Sequence, residues 1–273
     1  MYRLEGIRKV FPGGIVAVDG VDLTVHRGER VAVIGPSGAG KTTLFRLMNL
    51  TLRPSAGRLW IADWEVRDLR GRDLRAMRRR IGTVYQQHNL VPRLWVVHNV
   101  LAGRLGRWPT LRALWSLLRP SEVDVAYEAL CRVGIPEKLY ARTDDLSGGQ
   151  QQRVAIARVL LQEPEVILAD EPVSSVDPAL AVAIVRLLVD VSTALKTTLV
   201  INLHSVDLAL EAFPRVIGFR DGRVTFDRRP DEIEEGELAD LYTGRLEEHR
   251  ASDAESSYAF AHSPGVCRPL PRL

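Results

Sequence analysis

The sequence contains almost no cysteine. Cys131 and Cys267 stand far apart, without metal-ligand spacing and too few for a disulfide framework, so free thiols in a reducing compartment and no zinc site are expected. Lysine is equally scarce: Lys9, Lys41, Lys138 and Lys196 are the only ones among 37 basic side chains. Arginine therefore carries the net charge of +3, and acidic residues are interspersed with it almost everywhere. A nucleic-acid footprint needs a concentrated basic patch, so nucleic acid is not expected as a partner. The densest arginine run, residues 67–80, also holds Asp68 and Asp73. It reads either as a solvated or phosphate-adjacent helix face or as a surface for an anionic partner. No apolar run approaches the roughly 18 to 20 residues of a membrane span, and the first residues lack the basic-then-apolar order of a secretory leader. A cytosolic or membrane-peripheral chain is expected. No internal repeat is visible, which implies one copy of whatever unit the chain carries.

With 273 residues and 46% apolar content, the chain can bury the core of one large domain with subdomains. Residues 2–10, 21–25 and 31–34 pattern as strands, and the last run stops at a glycine-rich loop followed by a helix over 41–50. Residues 57–62 and 81–85 are further strands. Between 88 and 161 the pattern becomes mainly helical, with Pro109, Pro120 and Pro136 separating the segments, as in a helical subdomain inserted into an α/β core. Strand patterns return at 166–169, 198–203, 216–220 and 223–227, with a long helix from Pro178 to about Leu195. Residues 1–244 read as the domain, and 245–273, rich in Ser, Ala and Pro without an apolar period, as a mobile tail.

The run Gly35-Pro36-Ser37-Gly38-Ala39-Gly40-Lys41-Thr42 matches the phosphate-loop pattern in full, between a strand and a helix as that motif requires. Small residues let backbone N–H groups curl around β- and γ-phosphates, Lys41 supplies a mobile cation, and the Thr42 hydroxyl is placed to ligate Mg²⁺. Asp170 closes an apolar strand, where a carboxylate partner for that Mg²⁺ would stand. Glu171, next in sequence, is placed to polarise an attacking water. Alone, an Asp-Glu pair before Pro172 more often starts a turn or helix; the phosphate loop reverses that reading. His204 also follows a buried strand, either as a packing residue or near the γ-phosphate, where it could sense the loss of that group.

A second glycine-rich run, Leu146-Ser147-Gly148-Gly149-Gln150, opens a helical pattern over 151–161 and makes a second anion-binding helix start. One triphosphate cannot easily use two such sites on separate subdomains of one monomer, so a dimer is expected. With this run in place the chain resembles the ATP-binding cassette (ABC) family of ATPases over nearly all of residues 1–243. The resemblance implies an α/β phosphate-loop NTPase fold: a RecA-like core, an antiparallel β subdomain and an inserted helical signature subdomain. It implies Phe11 stacking on adenine, residues 35–42 as the Walker A loop, and Gln86 touching Mg²⁺ and relaying to a partner. Ser147, Gly148, Gly149 and Gln150 become the signature, Asp170 and Glu171 the Walker B and catalytic carboxylates, residues 175–177 the dimer-contacting loop, and His204 the switch histidine. ATP would lie between the Walker A loop of one subunit and the signature of the other. Departures are small: Phe11 replaces the commoner Tyr, Thr42 and Thr43 stand where Ser-Thr is frequent, Val176 takes a usual Leu, and the glutamine is doubled as Gln86-Gln87. None removes a reactive group, since stacking needs a ring and not a hydroxyl.

Residues 78–86, 89–91, 98–106, 108–118 and 202–209 look like the ATPases of phosphonate importers. That similarity implies a subunit on the cytoplasmic face of the inner membrane, a separate multispan permease and, indirectly, a periplasmic or surface binding protein. Phosphate, phosphite or another small oxyanion is the alternative cargo. A soluble accessory ATPase of a phosphonate-degrading assembly is another reading. A nucleic-acid-associated ABC factor would need a second cassette or coiled-coil insertion, and neither is visible. Trp108, Leu111, Leu114, Trp115 and Leu118 form an apolar helical stripe that reads as core of the helical subdomain or as a groove for the permease's coupling helix, two readings that can coexist on different faces.

Overall fold

The computed structural model describes residues 1–243 other than 88 and 175, with the side chains of 117 and 118 also outside the description. The tail expected over 245–273 lies outside the described residues. In chain order the first elements are β1 (Tyr2–Val10), β2 (Val16–Val25), β3 (Arg30–Ile34), α1 (Lys41–Met48), β4 (Ala56–Ile61), β5 (Trp64–Glu65), α2 (Gly71–Arg79) and β6 (Ile81–Tyr85). Four helices follow: α3 (Val96–Leu101), α4 (Thr110–Leu118), α5 (Val123–Arg132) and α6 (Gly148–Gln162). The chain then returns through β7 (Val166–Asp170), α7 (Pro178–Ala194), β8 (Thr198–Asn202), α8 (Val206–Ala212), β9 (Val216–Arg220) and β10 (Arg223–Arg228).

Two sheets organise these elements. The larger has the order β10-β9-β3-β8-β7-β6, parallel throughout except for the β9–β10 hairpin. Its inner strands are near-continuous apolar runs because both faces are covered. Along them alternate residues go to opposite faces. Ala32, Ile34, Ile167, Ala169, Leu199 and Ile201 pack with Val96, Leu130, Ile156 and Leu188 of α3, α5, α6 and α7. Val31, Val33, Val166, Leu168, Val200 and Phe219 pack instead with Leu44, Phe45 and Met48 of α1 and with Tyr2 and Leu4 of the second sheet. That second sheet is antiparallel, in the order β2-β1-β4-β5. Tyr2, Leu4 and Ile7 of β1 are buried, and the change of parity after Leu4 is a bulge at Gly6, φ +55°. An α/β core, an antiparallel sheet and helices α3 to α6 set between β6 and β7 are the architecture expected from the sequence.

Some local expectations need correction. Strand β2 begins at Val16, five residues before the apolar pattern suggests, because Asp19 and Gly20 interrupt the alternation without breaking the pairing to β1. The core reading of the α4 stripe fails: Leu111, Leu114 and Trp115 are 83%, 59% and 62% exposed. Among the described side chains of the stripe only Trp108 is partly buried against the core, with the Arg112 guanidinium 4.9 Å from its ring centroid, and the side chain of Leu118 lies outside the described residues. Periodicity identified an amphipathic helix but not which surface covers it. The arginine run of residues 67–80 is largely spent within the chain. Arg78 donates to the Leu50 carbonyl, Arg79 to that of Gly106, and Arg80 pairs with Glu165. No described helix is long and apolar enough to cross a membrane.

Candidate active site

Parallel strands β3, β7 and β8 run side by side, so the segments leaving their carboxyl ends meet on one rim, where open α/β sheets receive ligands. The phosphate loop leaves β3. Gly35 is buried with φ +152°, and a Cβ there would stand 1.9 Å from the Phe219 carbonyl oxygen of β9. Gly40, φ +99°, caps α1, and a Cβ there would meet the Ala17 carbonyl of β2 at 2.0 Å. The loop is thus wedged between two strand backbones, and the Gly222 N–H of the β9–β10 turn donates to the Ala39 carbonyl at 2.9 Å. Pro36 is half-buried, Ala39 buried, and Ser37 and Gly38 form its exposed crest, with nothing within 4 Å of a Cβ at Gly38. Lys41 is 4% exposed, and its Nζ donates to the carbonyls of Gly35 and Pro36 at 2.7 and 2.8 Å. The ammonium expected to be mobile is held inside the loop, because buried charge requires acceptors.

Thr42 and Thr43 are half-buried in the first turn of α1, whose free N–H groups and positive dipole end favour an anion. The Thr42 hydroxyl is 3.4 Å from Asp170 Oδ1, and the Asn202 amide donates to the same oxygen at 2.8 Å. Burial, reinforced by the charge of Glu171, pushes the Asp170 carboxyl above the ordinary carboxylate range despite those hydrogen bonds. Glu171 takes φ +50°, a left-handed conformation costly for a residue with a Cβ. The turn is held by Ser174, whose hydroxyl donates to the Glu171 carbonyl at 3.3 Å. His204 Nε2 lies 2.8 Å from Glu171 Oε1. The two residues, read separately from the sequence as base and sensor, are in direct contact.

Gln86 follows Tyr85, which pairs with Asp170 across β6 and β7, and is exposed. With Gln87 it lines a cleft shared with Thr143 and Gln151 of the segment around the second glycine-rich run. Phe11 sits in the β1–β2 turn, partly exposed, with the Lys9 ammonium 5.5 Å from its ring centroid. Among residues 175–177, Asp177 caps α7 through the Leu180 N–H at 2.9 Å, while Ser175 lies outside the described residues.

The second glycine-rich run forms the start of α6. Ser147 Oγ accepts from the Gln150 N–H at 3.3 Å and Gln150 Oε1 accepts from the Ser147 N–H at 3.1 Å, a reciprocal capping box. Its hydrogen bonds are local. Accepting from Gln150 leaves the Ser147 hydroxyl proton to donate elsewhere, and the first-turn N–H groups have no partner four residues back. Gly149 is buried against Leu180, while Gly148 has nothing within 4 Å of a Cβ position. Sequence reasoning assigned no role to Asn202. Its signal was a polar residue at the end of an otherwise apolar strand beside Asp170.

The ABC transporter family model matches residues 18–174, more than half of the chain. A phosphonates import ATP-binding protein PhnC 2 of Pseudomonas aeruginosa is 48% identical over 262 residues, covering 96% of this chain and 98% of that protein. PhnC 1 of Halalkalibacterium halodurans, of the same printed function, is 45% identical over 248 residues, 91% of this chain and 96% of its own. Among solved structures, a dimeric bacterial ABC transporter cassette is 31% identical with a TM-score of 0.74, covering 84% of this chain and 99% of that one. The matched segment spans the phosphate loop that leaves β3, the acidic pair at the end of β7 and the capped glycine start of α6, and the chain belongs to the ABC transporter family.

Proposed function

We propose that this chain is the ATP-hydrolysing subunit of an importer that takes up phosphonate through a separate permease. The cargo rests on relatives named as phosphonates import ATP-binding proteins, aligned along most of this chain. The chemistry rests on one observation: the phosphate loop, Asp170 and the Glu171–His204 pair lie on a single strand-end rim. Residues 1–244 would act as one cassette. ATP would sit with its phosphates on the loop of residues 35–43 and its adenine against Phe11, closed by Ser147, Gly148, Gly149 and Gln150 of a second copy. The outward Ser147 hydroxyl and first-turn N–H groups of α6 support that pairing, as does the dimeric form of the related cassette.

A half-buried carboxylate within reach of a threonine hydroxyl, beside an orphaned buried amide oxygen on Asn202, fits a hard cation with oxygen ligands. Thr42, Asp170 and Gln86 would hold Mg²⁺, which when bound neutralises charge on the transferring phosphate. Glu171 takes the proton of the attacking water. His204 holds Glu171 Oε1, which leaves Oε2 for that water. Lys41 would exchange loop carbonyls for phosphate oxygens.

The exposed face of Leu111, Leu114 and Trp115 is the surface we assign to a cytoplasmic segment of the permease, which would hold the subunit peripherally at the inner membrane. A binding protein outside that membrane would select the cargo. The test is co-expression with the permease and binding protein encoded beside this chain, followed by reconstitution in vesicles. Phosphonate-dependent ATP hydrolysis is expected, and Glu171→Gln should trap an ATP-bound dimer. Normal turnover in that variant removes the role given to Glu171; stimulation by phosphate or phosphite alone moves the cargo.

A further inference from the structure

Strand β8 runs through the apolar Leu199, Val200 and Ile201 to Asn202, which is fully buried. A buried amide needs partners for two donors and an acceptor, and an unsatisfied one costs free energy that an apolar side chain would avoid. Here Nδ2 donates to Asp170 Oδ1 at 2.8 Å, while Oδ1 has no partner in the protein. Asn202 and Asp170 are register neighbours on parallel strands, on the face that packs against α1. Thr42 reaches the same carboxylate oxygen. An ionised carboxylate only accepts, which fixes the amide with its nitrogen toward Asp170 and its oxygen unpaired.

We propose that Asn202 is a positioning residue of the cation site: Nδ2 locks the Asp170 carboxylate in one orientation, and Oδ1 accepts a hydrogen bond from a water of the Mg²⁺ hydration shell. The inference rests on the reading of Asp170 as a cation partner. Mn²⁺ binding to the ATP-loaded Glu171→Gln protein, followed by electron paramagnetic resonance, tests it without turnover. Losing a hydrogen bond to a charged group and an acceptor for bound water, Asn202→Leu should bind Mn²⁺ about tenfold more weakly. Metal-free ATP affinity should stay unchanged. Asn202→Ser, which keeps a donor, should lose less and covers the case in which the leucine variant does not fold. Unchanged Mn²⁺ affinity in Asn202→Leu alongside a loss in Asp170→Asn overturns the role of Asn202 alone. Unchanged affinity in both overturns the reading of Asp170.

Discussion

The exchange Gly148→Ala separates folding from assembly. Gly148 is the first residue of α6, its backbone is not in the left-handed region, and a Cβ there has nothing within 4 Å. Alanine exceeds glycine in helix propensity by up to about 1 kcal/mol, less at a first position, so the monomer should be neutral to slightly more stable. For a chain of this size that is a rise in melting temperature of at most about 2–4 °C. In the ATP-bound dimer the same methyl would stand between the first-turn N–H groups and a phosphate. One charge-assisted hydrogen bond, about 1.5–3 kcal/mol, is worth roughly 10- to 100-fold per site. Two sites close together, so dimerisation should weaken by about 10²- to 10⁴-fold. In a Glu171→Gln background the assay is light scattering after size exclusion with ATP. A Gly148→Ala protein that melts like its parent and still dimerises at the parent's ATP concentration refutes the assignment of this run to a partner's nucleotide. Gly149→Ala would not serve, because its Cβ would lie 2.4 Å from Leu180 Cδ2 and overpacking costs about 1–3 kcal/mol by itself.

Gly40→Ala should destabilise by about 2–4 kcal/mol, combining backbone overlap with Ala17 and a left-handed φ, read as a lower denaturant midpoint. Replacing Leu111, Leu114 and Trp115 together by serine should change stability by no more than about 1.5 kcal/mol and leave the isolated ATPase active, since all three are exposed. Recovery of the permease in pull-downs should fall, and unchanged recovery would move the docking surface elsewhere. Asp170→Asn should raise the melting temperature of the nucleotide-free protein at neutral pH while abolishing turnover. The Asp170 pKa is raised in the folded state, chiefly by burial, so its protonated form is favoured there. Its stabilising contribution is present at low pH and lost as pH rises through the raised value. The gap between variant and wild type should therefore close as melts are run toward about pH 4; a lower neutral melting temperature would contradict this.

The strands that carry the site were legible because burial on both faces leaves near-continuous apolar runs: residues 31–34, 166–169 and 198–203 read as strands, and β3, β7 and β8 end within one residue of them, at Ile34, Asp170 and Asn202. The long helix α7 was legible from Pro178 behind a capping Asp177. What failed was information that only neighbours supply. The α4 stripe has the spacing of a core helix, yet Leu111, Leu114 and Trp115 stay exposed among the described residues. Nothing local marks the short α8, whose Ser205 cap follows His204 directly. Contacts across the rim, Glu171 to His204 and Asp170 to Asn202, depend on the order β3-β8-β7, which no single segment encodes.

The costs in this fold gather on that rim. A half-buried, partly desolvated carboxylate at Asp170, an orphaned amide oxygen at Asn202 and a left-handed backbone at Glu171 each disfavour the folded state. They persist because the strands beneath them are locked from both faces by two separate apolar clusters, with Phe219 filling one of them and setting its carbonyl against Gly35. A cation would relieve the first two and a positioned water would use the third, so ligand binding should stabilise the cassette beyond the contacts it adds to a neutral surface. The relief lasts only while the phosphate holding the cation is present. On the proposed roles, hydrolysis would return the rim to its costly state as His204, bonded to Glu171, loses the water between them and the nucleotide. A rim that is costly when empty and relieved when loaded would be a two-state element, and on the proposed pairing the partner's α6 start would bias it only while ATP is intact.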